Sequence, residues 1–310
     1  MRKTAFQNMI SKPANGIALE GGGAKGAYQM GAWKAFMEMG ISFQVVSGAS
    51  MGAINGAFMV QGDYERARAF WTELSEKRLH LVDVKKVKGF AARLITDLGL
   101  MFLPLPLGKL RWIKYARTFT LFMKIFSEKG AVSYLLKEGL VNTDLLGEIL
   151  WSHIDLQRVL GSGTGLYIFA HETPGGSIPG RSGATFIRAQ DLDEISLKSF
   201  LMASIAFPLM FPSVSIGDKT YRDGDLAFPD IPFPLRDKNL ARIFVLHSKA
   251  WKSMLHKNHP GNPIIHIIPS KNIGTLYQKT FDFSPETISH VMELGYQDTQ
   301  NILRVELERI

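Results

Sequence analysis

The chain of 310 residues contains no cysteine, which excludes disulfide staples, a thiolate nucleophile and zinc sites built on sulfur. It also has no long apolar run. The longest, Leu98–Leu107, is shorter than the ~18 residues that span a bilayer and is interrupted by Pro104 and Pro106. The opening MRKTAFQNMISKPANG has no apolar stretch of signal-peptide length, so the chain reads as cytoplasmic or peripheral to a membrane. Acidic residues are scarce in one place only. Residues 77–129 carry twelve Lys or Arg against three Asp or Glu, while the whole chain is +8, so the remainder is close to neutral. A diffusely basic surface is thereby excluded, and with no nucleic-acid motif beside the basic segment no nucleic-acid partner is expected. Hydrophobic residues at 46% and charged residues at 21% describe a globular chain rather than a disordered one.

The order of elements points to an α/β layer fold with a parallel sheet. Gly16-Ile17-Ala18-Leu19 is a short apolar strand ending in Glu20 and a glycine loop, and a helical pattern follows from Ala24 to about Met39. Phe43-Gln44-Val45-Val46 predicts a second strand, a sharp turn through Ser47–Gly52, and a helix from Ala53 to Gln61. Residues 63–160 read as a mostly helical, basic insertion. Later strands are expected at 166–170, 184–187, 242–246 and 264–268, with a glycine- and proline-rich loop over 174–183. A helix is expected at 199–205, and Ser284 before Pro285 marks the start of a final helix running to the C-terminus. With no repeat and no linker, this is one domain: a core over 15–236, completed by strands and a helix from 237–310.

Gly48-Ala49-Ser50-Met51-Gly52 fits G-x-S-x-G between a strand and a helix. In that setting a strained turn lifts a serine above the sheet edge, at the positive end of the following helix. Gly21-Gly22-Gly23-Ala24-Lys25-Gly26 fits G-x-G-x-x-G. A dinucleotide site needs an acid at the end of the second strand, where this chain has Ser47–Ser50, and a phosphate loop needs Lys and Ser/Thr after Gly26, where Ala27 stands. The competing reading is an oxyanion hole made by the amides of this loop, which the neighbouring serine turn favours. The base is less determined. Eight histidines (80, 153, 171, 247, 256, 259, 266, 290) are available. His247, at a strand end, would serve a Ser–His esterase or acyltransferase. A carboxylate in the turn Asp223-Gly224-Asp225 would accept the serine proton directly.

Four blocks then stand in order: the glycine loop, the serine turn, Ala203-Ser204-Ile205-Ala206-Phe207-Pro208 with Phe211-Pro212, and Asp223-Gly224. Together they resemble the patatin-like phospholipases. The tail, Phe283-Ser284-Pro285-Glu286 with Leu294-Gly295-Tyr296, is similar to bacterial members. The resemblance implies a three-layer α/β/α fold with a mostly parallel central sheet and a Ser–Asp dyad that cleaves lipid acyl esters without cofactor or metal. It makes Ser50 the nucleophile and Asp223 the base. Gly21, Gly22 and Gly23 hold the oxyanion, with Lys25, Gly26, Gly48, Gly52 and Gly224 in support. Two positions depart from the family pattern: Asp225 stands where a small residue is usual, and Asp230-Ile231-Pro232 where Asn-x-Pro is usual.

Within the basic insertion, Leu110–Phe126 forms a lopsided wheel, with Arg111, Lys114, Arg117 and Lys124 inside an arc of about 140° at 100° per residue. Trp112, Tyr115, Phe119, Phe122, Met123 and Phe126 gather opposite. Such a helix suits peripheral contact with an anionic membrane, where each cation contributes about 1 kcal/mol. Leu98–Leu107 reads as part of a lid.

Overall fold

Ile17, Ala18 and Leu19 present only apolar side chains, and a strand of this kind persists only if both its faces are covered. The structure, a computed structural model describing residues 14–99, 130–178, 183–224, 230–248, 262–274 and 280–307, buries them completely in β1 (Asn15–Leu19). Around β1 lie β2 (Val45–Ala49), β3 (Gly165–Glu172), β4 (Ala184–Arg188), β5 (Val214–Ile216), β6 (Lys219–Arg222), β7 (Arg242–Leu246) and β8 (Ile264–Ile267). Among the described residues they form one mixed sheet in the order β5-β6-β3-β2-β1-β7-β8, with β4 also on β3. The strands β3, β2, β1, β7 and β8 are mutually parallel, and β4, β5 and β6 add antiparallel pairs beyond β3.

Side-chain alternation sends the strands into two cores. Ile17, Leu19, Val46, Phe244 and Leu246 enter the larger one, and Ala18, Ala49, Ile243 and Val245 the smaller. The described helices are α1 (Ala27–Glu38), α2 (Met51–Gln61), α3 (Tyr64–Glu76), α4 (Val84–Gly99), α5 (Ala131–Glu138), α6 (Thr143–His153), α7 (Leu156–Leu160), α8 (Glu194–Ile205) and α9 (Pro285–Leu307), of which all but α4 and α5 contribute side chains to the larger core. Ile231, Leu235 and Leu240 close the smaller core. Asp63, Asn142, Asp155 and Asp193 each accept a backbone N–H at the start of α3, α6, α7 and α8, the satisfaction that helix N-termini require.

The expected elements are present, with shifted edges. The first helix begins as a 3-10 turn over Gly23–Gly26, because the glycine loop must bend before a regular helix can start. The hairpin β5–β6 was not foreseen, since three- and four-residue strands around Gly217 carry no usable alternation. In the insertion, α3 to α7 bear out the helical reading over the described residues, and a single bridge joins Val82 to Val141. The basic helix at 110–126 and residues 100–107 of the apolar run lie outside the described residues. No described helix is long and apolar enough to cross a membrane.

The C-terminal helix docks by close approach. A Cβ on Gly31 of α1 would lie 1.8 Å from the Met292 carbonyl oxygen, and one on Gly295 of α9 would lie 2.0 Å from that of Tyr28. Beside this crossing the Tyr28 hydroxyl donates to Asp298 at 3.0 Å. Burial, then the Asp298 charge, pushes the phenol far above its ordinary pKa. Substituting Gly31 or Gly295 with Ala forces the helices apart, and we expect each to destabilise the fold by about 2–3 kcal/mol, read as a lowered thermal midpoint.

Candidate active site

The loops that follow β1 and β2 leave the sheet at the carboxyl ends of adjacent parallel strands, where open α/β sheets place their ligands. Ser50 occupies the turn from β2 into α2 with φ 52° and ψ −131°. A side-chain-bearing residue at positive φ is strained, and among the described residues only Leu209 shares that property. Crowding enforces the turn. A Cβ on Gly48 would meet the Gly52 carbonyl oxygen at 2.4 Å, and one on Gly52 would meet that of Leu19 at 2.3 Å. Met51, Gly52 and the rest of the first turn therefore sit directly against the end of β1. Ser50 is 7% exposed.

Gly21 and Gly22 are buried beside this turn, and Gly23 has φ 58° with the Thr280 carbonyl oxygen 2.2 Å from a would-be Cβ. The Ala24 amide donates to that same carbonyl at 2.8 Å, while the amides of Gly22 and Gly23 have no acceptor among the described residues. Gly26 packs on Met51 and Trp71. Lys25 is buried, 1% exposed, with its stem over Gly22. Behind the loop, Gln29 Nε2 donates to the Glu20 carbonyl at 2.6 Å. Asn55 Nδ2 donates to Gln29 and to the Gly26 carbonyl, and Trp71 Nε1 donates to Asn55. Sequence reasoning missed this relay, because Gln29 and Asn55 are single amides in apolar helices with no motif around them.

Asp223 ends β6 and is 1% exposed. The third sequence block couples it to the serine turn: the Ser50 amide donates to Ser204 Oγ at 2.9 Å, and the Asp223 amide donates to the Ala206 carbonyl at 3.2 Å. One short segment thus holds both residues. The adjoining Arg222 is fully buried and donates to the carbonyls of Phe211 and Leu136; burial draws its guanidinium pKa down. Gly224 fits where a Cβ would strike Phe169 and His171. Asp225 lies outside the described residues. Asp230 instead forms a two-pronged ion pair with Arg236, at 2.7 and 2.9 Å, and the carbonyl of Ile231 accepts from Ser47 Oγ at 2.8 Å.

Gly23, Ser50 and Asp223 line one cavity of about 340 Å³, whose other walls are mostly apolar, including Met51, Leu74, Leu81, Val141, Phe207 and Phe211. None of the six described histidines lines it; His256 and His259 lie outside the described residues. His247 is enclosed elsewhere. Its Nδ1 pairs with Glu20 at 2.8 Å and its Nε2 with His266 Nδ1 at 2.9 Å, which leaves neither ring nitrogen for the serine. Among the described residues no three His, Asp or Glu side chains cluster to hold a metal.

A model described as patatin-like phospholipase matches residues 17–233. No curated protein matches the chain. Among solved structures, VipD from Legionella pneumophila has a TM-score of 0.50 at 16% identity, covering 95% of this chain and 67% of that one. The complex ExoU–SpcU from the type III secretion system of Pseudomonas aeruginosa gives 0.43 at 17% identity, covering 96% and 52%. The chain spans two thirds of VipD and about half of the matched chain of the ExoU–SpcU complex. At these identities the likeness concerns the fold alone.

Replacing Ser204 with Ala leaves the buried Ser50 amide without its acceptor. A loss of about 1–3 kcal/mol is expected, measured as a lower urea midpoint.

Proposed function

Because the chain belongs to the patatin-like phospholipase family, we propose that it hydrolyses acyl esters of lipids with Ser50 as nucleophile and Asp223 as general base. The observation that carries this reading is the shared cavity: a serine in a strained turn, a buried carboxylate and the glycine-loop edge meet on one largely apolar wall. Such a wall accepts an acyl chain and excludes the water that would weaken charge stabilisation.

In the proposed cycle Ser50 Oγ attacks the ester carbonyl carbon, and its proton passes to the Asp223 carboxylate. The carbonyl oxygen becomes an oxyanion, for which the unengaged amides of Gly22 and Gly23 are the donors; one such donor contributes roughly 10²–10³ in rate. Gly21 shapes that loop, and Gly26, Gly48, Gly52 and Gly224 permit the close approaches around it. Collapse of the intermediate breaks the ester C–O bond, and Asp223 returns the proton to the departing alcohol. Water then attacks the acyl-enzyme, giving up a proton to Asp223; collapse breaks the bond from the acyl carbon to Ser50 Oγ, Asp223 returns the proton to Oγ, and the fatty acid leaves. The positive end of α2 lies at the developing charge. Neither metal nor cofactor enters this sequence. The lipid substrate brings the protein to a membrane, and the basic segment 77–129 supplies charge for peripheral contact with it.

Release of fatty acid from phospholipid and lysophospholipid tests the dyad. We expect Ser50→Ala and Asp223→Asn each to lower kcat by at least ~10³-fold with thermal midpoints near that of the parent. Retention of the parent rate by either variant removes that residue from the mechanism.

A further inference from the structure

The apolar cavity beside Ser50 contains one cation among its described lining residues, Arg78. It stands in the turn that follows α3, and its Nη1 donates to the Ser75 carbonyl at 2.8 Å. Among the described residues that neutral bond is its only hydrogen bond, and no carboxylate pairs with it. The two acids on the same wall have other roles. Asp282 accepts from the Ser284 amide at 3.2 Å and from Thr287 Oγ1 at 2.6 Å, and Asp223 is the proposed base. A half-buried guanidinium among Leu79, Leu81 and Val82, fixed by a single carbonyl, is a cation whose remaining donors await an anion. Its fork matches the paired oxygens of a phosphate better than it matches any neutral group.

The rest of the wall is largely apolar, which suits the acyl chain of the same molecule. We propose that Arg78 is the anion subsite of this cavity, taking the phosphate of an acyl ester whose chain lies against that wall. The assignment rests on the reading of Ser50 and Asp223 for its chemistry, but not for its binding step.

Binding and turnover therefore need separate arms. In the first, decylphosphocholine, which has no ester to cleave, is titrated calorimetrically into the full chain and into Arg78→Gln. A loss of about tenfold or more in affinity, the size of one charge-assisted hydrogen bond, is expected, with partial recovery in Arg78→Lys. Equal affinity for the wild type and Arg78→Gln overturns the proposal. So does Arg78-dependent binding of inorganic phosphate when decylphosphocholine binding is indifferent to the substitution, since the site would then serve free phosphate. In the second arm, decanoyl lysophosphatidylcholine and monodecanoylglycerol are compared as monomers. The ratio of their kcat/KM values is expected to fall about tenfold in Arg78→Gln, chiefly through KM for the phosphate-bearing substrate. An unchanged ratio also overturns the proposal. Arg78-dependent binding without hydrolysis of either ester would leave the subsite standing and remove the Ser50 reading instead.

Discussion

The close approach of the first turn of α2 to the end of β1 is the constraint on which the rest depends. With the Leu19 carbonyl oxygen only 2.3 Å from where a Cβ of Gly52 would stand, the chain leaving β2 has no room for a relaxed turn. Ser50 takes up the strain at φ 52°, which costs on the order of 1–3 kcal/mol and is affordable only because the surrounding sheet and helices fix it. The same crowding sets the glycine loop beside the serine. A third segment closes the arrangement: Ser204 takes the Ser50 amide and Ala206 the Asp223 amide, so serine and carboxylate are positioned by adjacent turns of a single stretch of backbone.

The polar groups around this centre have mostly structural partners. Glu20 accepts from the Ser248 amide and pairs with His247, which in turn contacts His266. This fixes the residue immediately before the glycine loop. On the other side Gln29 and Asn55 hold the carbonyls of Glu20 and Gly26, and Trp71 donates to Asn55. A histidine with both ring nitrogens engaged is a strut, and the proposed base is instead Asp223, a buried carboxylate on the cavity wall. The arrangement therefore favours a base acting directly over one relayed through imidazole.

The fold was legible from the chain because its signals were strong and local. Fully apolar short strands followed by glycine turns and helices announced parallel α/β architecture, and Ser284-Pro285 marked the start of α9, which begins at Pro285. The Ser50 turn was legible for the same reason, since both flanking glycines answer to steric demands that act within a few residues. Less local features were not. The hairpin β5–β6 is too short to show a period, the Gly31–Gly295 crossing joins residues far apart in sequence, and Arg78 looked like one more charge in a basic stretch. Its place on the wall of the Ser50 cavity depends on the turn after α3 being brought to the same cavity as Ser50 and Asp223, which no local pattern encodes. His247 illustrates the reverse: a strand-end histidine suggested a base until its partners Glu20 and His266 were in place.

The most direct measurement is labelling of the purified chain with a fluorophosphonate, which phosphonylates a serine only where its proton can be removed and an oxyanion held. A single adduct mapped by mass spectrometry to Ser50, and its loss in Asp223→Asn while His247→Ala still labels, is the expected result. An adduct at another serine, or undiminished labelling of Ser50 in the absence of the Asp223 carboxylate, would contradict the assignment of nucleophile and base.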